Sequence, residues 1–241
     1  MKVITVAVQK GGTGKTTTAA ALAEAGAIKN KKILAIDLDP QGNLSFALNA
    51  CNKSGVSSLD LLQSRNTNVI KNALPNIDVI PSAWGLSTVK SFQGSARRLQ
   101  EALKPLKKNY DLILIDTPPT AGELQYNALQ TADELIIPLS ADIYSLQSLY
   151  QITATAKQIQ KSNTKLKIKG FVLTKVDNRS TISRQMKENI INTANKNKVH
   201  YLGSIRQGIA IQEATALQKN LFEYAPKSNP AKDYLTLFEN L

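Results

Sequence analysis

Several residue types are scarce in this 241-residue chain, which has one cysteine, Cys51, one histidine, His200, and one tryptophan, Trp84. A lone cysteine excludes an intramolecular disulfide framework and counts against an iron–sulfur cluster held by paired thiolates. It fits a reducing compartment such as the cytoplasm. With one histidine there is no Ser–His–Asp arrangement and no zinc-ligand spacing, so His200 reads as structural. Aromatic residues make up 5% of the chain, and none interleave with the lysines as a platform for stacked single-stranded bases. Trp84, following Pro81-Ser82-Ala83, is expected to be packed. No uninterrupted apolar run has the length of a membrane span. The opening Met1-Lys2-Val3 runs directly into a first strand, which leaves no room for a signal peptide. Acid is scarce as well: 18 Asp and Glu face 30 Lys and Arg, for a net charge of +12.

What is present is a globular composition, 42% hydrophobic, in a length normal for one α/β domain, residues 1–241. Strand and helix signals alternate. Strands are predicted at residues 3–8, 32–37, 77–81, 112–115, 135–137, 168–174 and, weakly, 199–205. Helical patterns lie between them, notably at 18–27, 95–104, 143–161 and 181–195. Residues 49–76 are the least regular, with a helix candidate at 56–63. The run Leu112-Ile113-Leu114-Ile115 is what a strand buried on both faces requires. This alternation predicts a mostly parallel, doubly wound sheet with helices on both faces.

The most specific segment is Gln9-Lys10-Gly11-Gly12-Thr13-Gly14-Lys15-Thr16-Thr17, set between an apolar strand and an Ala-rich helix. That is the context of a phosphate-binding loop. Its glycines let successive N–H groups point at phosphate oxygens, and the helix N-terminus adds positive potential. Lys15 would reach the β- and γ-phosphates of ATP, and the Thr16 hydroxyl would hold Mg²⁺. At the end of the second strand, Asp37 and Asp39 share one face of an extended segment. Paired carboxylates beside a triphosphate can hold hydrated Mg²⁺ or orient the attacking water. For Asp37, a capping role before a turn stays open; Asp39 precedes Pro40 and should be extended. Asp116 ends the most apolar strand, where a carboxylate would accept from Mg²⁺-bound water and from Thr16.

The loop departs from the ordinary Walker A pattern: Gln9 stands where Gly is usual, and Lys10 precedes the glycine pair. This K-G-G-x-G-K-T form resembles the deviant Walker A motif of the ParA/MinD family of P-loop NTPases. The resemblance implies that Lys10 reaches across a homodimer to the partner's nucleotide; spacing alone equally allows a solvated lysine at a loop edge. Asp37-Leu38-Asp39-Pro40-Gln41-Gly42-Asn43 is similar to the family's first switch. By that likeness Asp39 positions the hydrolytic water and Asp37 supports the metal shell. Thr117-Pro118-Pro119 resembles the second switch, and Thr174 to Arg179 the loop bordering the base, which implies nucleotide contacts from Thr174 and Asp177. As spacing, a solvated loop fits the latter nearly as well. Residues 205–214 match the family only at Ile205, Glu213 and Ala214; Ala210 replaces an arginine associated with DNA binding.

The resemblance covers nearly the whole chain and is strongest at 1–45 and 110–140, closest to the small ParA type. It implies a cytoplasmic, nucleoid-associated ATPase that binds double-stranded DNA nonspecifically and is stimulated by a ParB-like centromere-binding protein. The basic charge, concentrated from Lys157 to Arg206, fits such binding by counterion release. It fits equally a lysine-rich composition spread over every face. No helix-turn-helix precedes the first strand. The stripe Ala231, Tyr234, Leu235, Phe238, Leu241 predicts a C-terminal helix. Its polar face lacks the basic character of a membrane anchor, so it should dock on the core, with no stable membrane association. Two rivals remain: a MinD-like or cargo-positioning ATPase on a membrane or protein scaffold, and a dethiobiotin-synthetase-like ligase.

Overall fold

The structure, a computed structural model, describes residues 1–51, 56–64, 67–88, 97–142 and 144–241. From the start of the chain come β1 (Lys2–Val6), α1 (Lys15–Ile28), β2 (Ile33–Asp37), α2 (Asn43–Ala47) and α3 (Ser58–Ser64). Then follow β3 (Ile70–Leu74), β4 (Ile77–Ile80), α4 (Arg98–Ala102), β5 (Leu112–Asp116), α5 (Glu123–Thr131) and β6 (Glu134–Ser140). The last part holds α6 (Ser145–Gln160), β7 (Lys167–Val176), α7 (Thr181–Lys196), β8 (Tyr201–Arg206), α8 (Ile209–Ala216), α9 (Leu221–Tyr224) and α10 (Asn229–Glu239).

Among the described residues the strands form one sheet in the order β3-β4-β2-β5-β1-β6-β7-β8. All neighbours are parallel except β3 and β4. The expected doubly wound α/β architecture is therefore present. Period-two alternation divides the core. Ile4, Val6, Ile33, Leu112 and Leu114 face α1, α2 and α8 to α10. Val3, Leu34, Ile36, Ile113 and Ile115 face α3, α4 and α5. Leu135, Ile137, Phe171 and Leu173 continue that second face beneath α6 and α7. The chain passes from β1 to strands on one side and later to β6 on the other. This reversal of strand order opens a crevice beyond the carboxyl ends of the central strands.

Small residues let α1 lie close to its neighbours. A Cβ on Gly26 would stand 2.8 Å from Ile33 Cδ1 and 3.2 Å from the Phe238 ring of α10. The predicted C-terminal stripe docks on the core: Ala231, Tyr234 and Leu237 are buried, and Leu235, Phe238 and Leu241 pack beside them. Tyr234 Oη and Thr18 Oγ1 share a hydrogen bond at 3.2 Å, tying α10 to the helix behind the glycine-rich loop.

The predicted strands match observed ones within about three residues at most ends, and so do the helices. The starts of two predicted helices, residues 95–96 and 143, lie outside the described residues, as do 52–55 and 65–66 in the irregular stretch. β3 was not anticipated. Its Lys71 and Asn72 are exposed at the sheet edge, so it carries no apolar alternation. Trp84 also differs from expectation: it is 79% exposed, because Leu86 of the same 3₁₀ turn takes the inward position.

Candidate functional site

Residues 9–17 leave β1 and enter α1 at the crevice. Gly12 (φ +74°) and Gly14 (φ +83°) adopt left-handed backbone that a Cβ would strain. Gly14 is the N-cap of α1 and no side chain caps the helix, so its first-turn N–H groups are available to an anion. Lys15 is buried, and its ammonium donates to Lys10 O at 2.8 Å. Burial lowers its pKa, while the charges of Asp116 and Asp39 pull it back up.

Two carboxylates, Asp116 and Asp39, act on that ammonium, and a third, Asp37, lies beside Asp116. Asp37 and Asp116 end β2 and β5 in register, side by side. Thr16 Oγ1 donates to Asp116 Oδ2 at 2.7 Å, and Thr117 N donates to Asp116 Oδ1 at 3.0 Å. Burial raises the Asp116 pKa, and the neighbouring Asp37 adds to the effect. Burial also raises that of Asp37, opposed by its hydrogen bonds. Those bonds come from Asp39 N at 3.0 Å, Ser45 N at 2.8 Å and Ser45 Oγ at 2.7 Å. Both Asp37 oxygens thus shape the segment that follows β2. The Asp39 carboxylate has a lighter local role, accepting from Gln41 N at 3.0 Å, and the residue lines the cleft.

The cleft has a volume of about 460 Å³. Gly11, Gly12, Gly14, Lys15, Thr16 and Thr17 form its floor, Asp39, Gln41 and Phe46 one wall, and Ile211, Ala214 and Thr215 of α8 another. Lys175 and Lys219 stand at its edge. Not every anticipated residue faces it. Thr13 is buried, with its carbonyl turned to Thr174 Oγ1 at 2.8 Å. Thr174 therefore braces the loop from behind, its Cγ2 lying 3.4 Å from where a Gly14 Cβ would sit. Asp177 lies in a separate hollow with Arg206, Gln207 and Asn229, paired to Arg179 Nε at 3.1 Å. Lys10 turns away toward Asp142. The α8 wall, Phe46, Lys175 and Lys219 were missed from sequence, since ordinary apolar residues and lysines there carry no motif; only the left-handed φ of Lys175, +54°, marks a special position.

The donor set suits Mg²⁺. Thr16 and Asp116 offer hard oxygens, and Asp116 is a fully buried carboxylate whose only nearby cation among the groups shifting its pKa is Lys15. Among the described residues no cluster of three His, Cys, Asp or Glu groups could hold a metal by itself. An ion here would need phosphate oxygens and water to complete its shell, as Mg²⁺ prefers.

Glu24, on α1 in the same cleft, is 4% exposed and accepts from Leu221 N at 2.9 Å. Burial pushes its pKa up to about 8, although that hydrogen bond opposes the rise. An acid whose folded pKa exceeds its unfolded one stabilises the fold most when protonated, and that stability declines as pH rises from the unfolded pKa to the folded one. The nucleotide-free protein should therefore lose thermal stability between about pH 5 and pH 8. Asp37 and Asp116 act in the same direction. Glu24→Gln, which can still accept from Leu221 N, should shrink this slope in melting curves without removing it. An undiminished slope would show that Glu24 is not the buried acid responsible.

A family model described as an AAA domain matches residues 1–168. The sporulation initiation inhibitor protein Soj of Bacillus subtilis is 34% identical over 251 aligned positions, which span 98% of this chain and 96% of Soj. The chromosome partitioning protein ParA of Caulobacter vibrioides is 35% identical, over 98% of this chain and 92% of that protein. Among solved structures, the septum site-determining protein MinD of Pyrococcus horikoshii, complexed with Mg-ADP, superposes with a TM-score of 0.81. That match is 26% identical and covers 99% of this chain and 94% of MinD.

Proposed function

Because this chain belongs to the ParA/MinD family of P-loop ATPases, we propose that it is a DNA-partition ATPase acting as one domain of residues 1–241. ATP with Mg²⁺ is its substrate, and two copies sandwich two nucleotides. The observation that carries this reading is the grouping of Lys15, Thr16, Asp39 and Asp116 around one glycine-cradled cleft, with Lys10 beside it.

The chemistry follows from those groups. The loop N–H groups and Lys15 hold the β- and γ-phosphates, so negative charge meets a fixed positive potential. Thr16 and Asp116 would hold Mg²⁺, which, when bound, neutralises charge on the phosphates. Asp39, with one oxygen bonded to Gln41 N, accepts a hydrogen bond from the attacking water and aligns it with the γ-phosphorus. Lys10 of the second copy supplies a further cation to the transferring group. Asp37 supports Asp39 and the metal shell through its hydrogen bond to Asp39 N. Thr174 contributes by holding the loop, and a base-side contact from Asp177 requires its ion pair with Arg179 to open.

The ATP-bound dimer binds double-stranded DNA without sequence preference, and a ParB-like partner stimulates hydrolysis and releases the monomers in the cytoplasm. Exposed Lys157, Lys161, Lys165 and Lys167 form a basic run from the end of α6 into β7 that fits this role. Ala210, half-buried against the core, contributes no charge to it. One observation bears on the membrane-bound alternative: the apolar stripe of α10 is already covered by the core, and no described helix is long and apolar enough to cross a membrane.

The test is duplex DNA binding by the Asp39→Ala protein with ATP and with ADP across a salt series. Binding with ATP only, weakening steeply with salt, is the expected result. Absence of binding in both states would overturn the DNA role and favour an ATPase that positions its cargo on a protein scaffold.

A further inference from the structure

We propose that Asp142 and Tyr144 form a parking site for the Lys10 ammonium, which must be vacated before two copies can pair. This inference rests on the role across the dimer given to Lys10 above.

Lys10 Nζ lies 2.6 Å from both carboxylate oxygens of Asp142 and 5.5 Å from the centroid of the Tyr144 ring. The carboxylate is itself fixed: Ser140 Oγ donates to it at 2.8 Å and Tyr144 N at 2.9 Å. Partial burial tends to raise its pKa, but the bonds from Lys10 and Ser140 outweigh this and keep it ionised. A cation held by two oxygens and a ring face has partners already and does not project toward a second molecule.

The parking site is also wired to the nucleotide cleft. Lys10 O accepts the Lys15 ammonium at 2.8 Å. A β- or γ-phosphate that draws Lys15 to itself takes this donor from the Lys10 carbonyl, so the backbone carrying the parked side chain loses one of its restraints. Nucleotide arrival and Lys10 release are thereby coupled through one residue. The carboxylate of Asp142 and the partner's γ-phosphate compete for the same ammonium. The apparent affinity for pairing is then reduced in proportion to the fraction of molecules in which Lys10 is free.

The pair is partly solvent-exposed, with 24% of the Lys10 side chain and 38% of the Asp142 side chain accessible, so the effect should be moderate. Analytical ultracentrifugation of the full chain with Mg²⁺ and a non-hydrolysable ATP analogue would measure it. Asp142→Asn should lower the concentration at half-dimerisation about fivefold, since a neutral amide holds an ammonium less well. An unchanged or higher midpoint would overturn the parking site. Lys10→Ala separates the two ideas. If it pairs like wild type, the role of Lys10 across the dimer fails and this inference with it. If it cannot pair while Asp142→Asn behaves as wild type, only the parking site fails. Should Asp142→Asn misfold, Tyr144→Leu carries the test, because it removes the ring face and leaves the carboxylate. Its midpoint should fall by a smaller factor in the same direction, and no change would overturn the proposal.

Discussion

Lys15→Ala should bind ATP on the order of a hundredfold more weakly than wild type, measured calorimetrically with Mg²⁺ present. The reasoning is electrostatic. Lys15 is a buried cation aimed at the cleft floor, among left-handed glycines and next to the uncapped start of α1. Without it, the β- and γ-phosphates would meet the charges of Asp39 and Asp116 with no intervening cation from the loop. The loss should not be one of folding. Burial lowers the Lys15 pKa, so the charged form costs the empty protein stability below that pKa, and the cost disappears only as pH rises past it. Lys15→Met, which keeps the apolar stem, should melt at or above the wild-type temperature when nucleotide is absent. ATP binding by Lys15→Ala at near wild-type affinity would show that the loop N–H groups suffice and that Lys15 is not the phosphate ligand.

The second large effect is on turnover. Asp39→Ala should bind ATP and dimerise nearly as wild type, yet hydrolyse at least about 10²-fold more slowly, the usual loss when a positioned acid–base group is removed. The local structure allows this separation. The Asp39 side chain accepts one hydrogen bond, from Gln41 N, whereas Asp37 accepts three, two from backbone N–H groups and one from Ser45 Oγ, that fold the 37–45 segment. Asp37→Ala should therefore disturb both stability and binding, and Asp39→Ala the rate alone. Single-turnover hydrolysis by Asp39→Ala at the wild-type rate would remove Asp39 from the reaction.

Much of this site was legible in the sequence because its residues lie at strand ends. An apolar run followed by glycines, or by a lone aspartate, marks where a buried strand meets the crevice, and Val8, Asp37 and Asp116 are such points. β3 was illegible for the opposite reason: at the edge it buries only Ile70 and Ala73 strongly, so its pattern resembles a loop. The α8 wall was hidden because Ile211 and Ala214 look like any core residues; their place beside Lys15 is set by the passage of the chain over the sheet after β8. Asp142 stands 132 residues from Lys10, and only the adjacency of β1 and β6 brings them together. Trp84 misled because a large apolar side chain was expected inward, while its neighbour Leu86 filled the position.

The contact of Thr174 with Thr13 and Gly14 has a kinetic consequence. With β7 fixing the glycine loop from behind in the empty molecule, the cradle is preorganised, and capture of nucleotide involves little ordering of backbone. Association should then run near the rate at which nucleotide diffuses into the cleft, and differences among nucleotides should appear in their residence times.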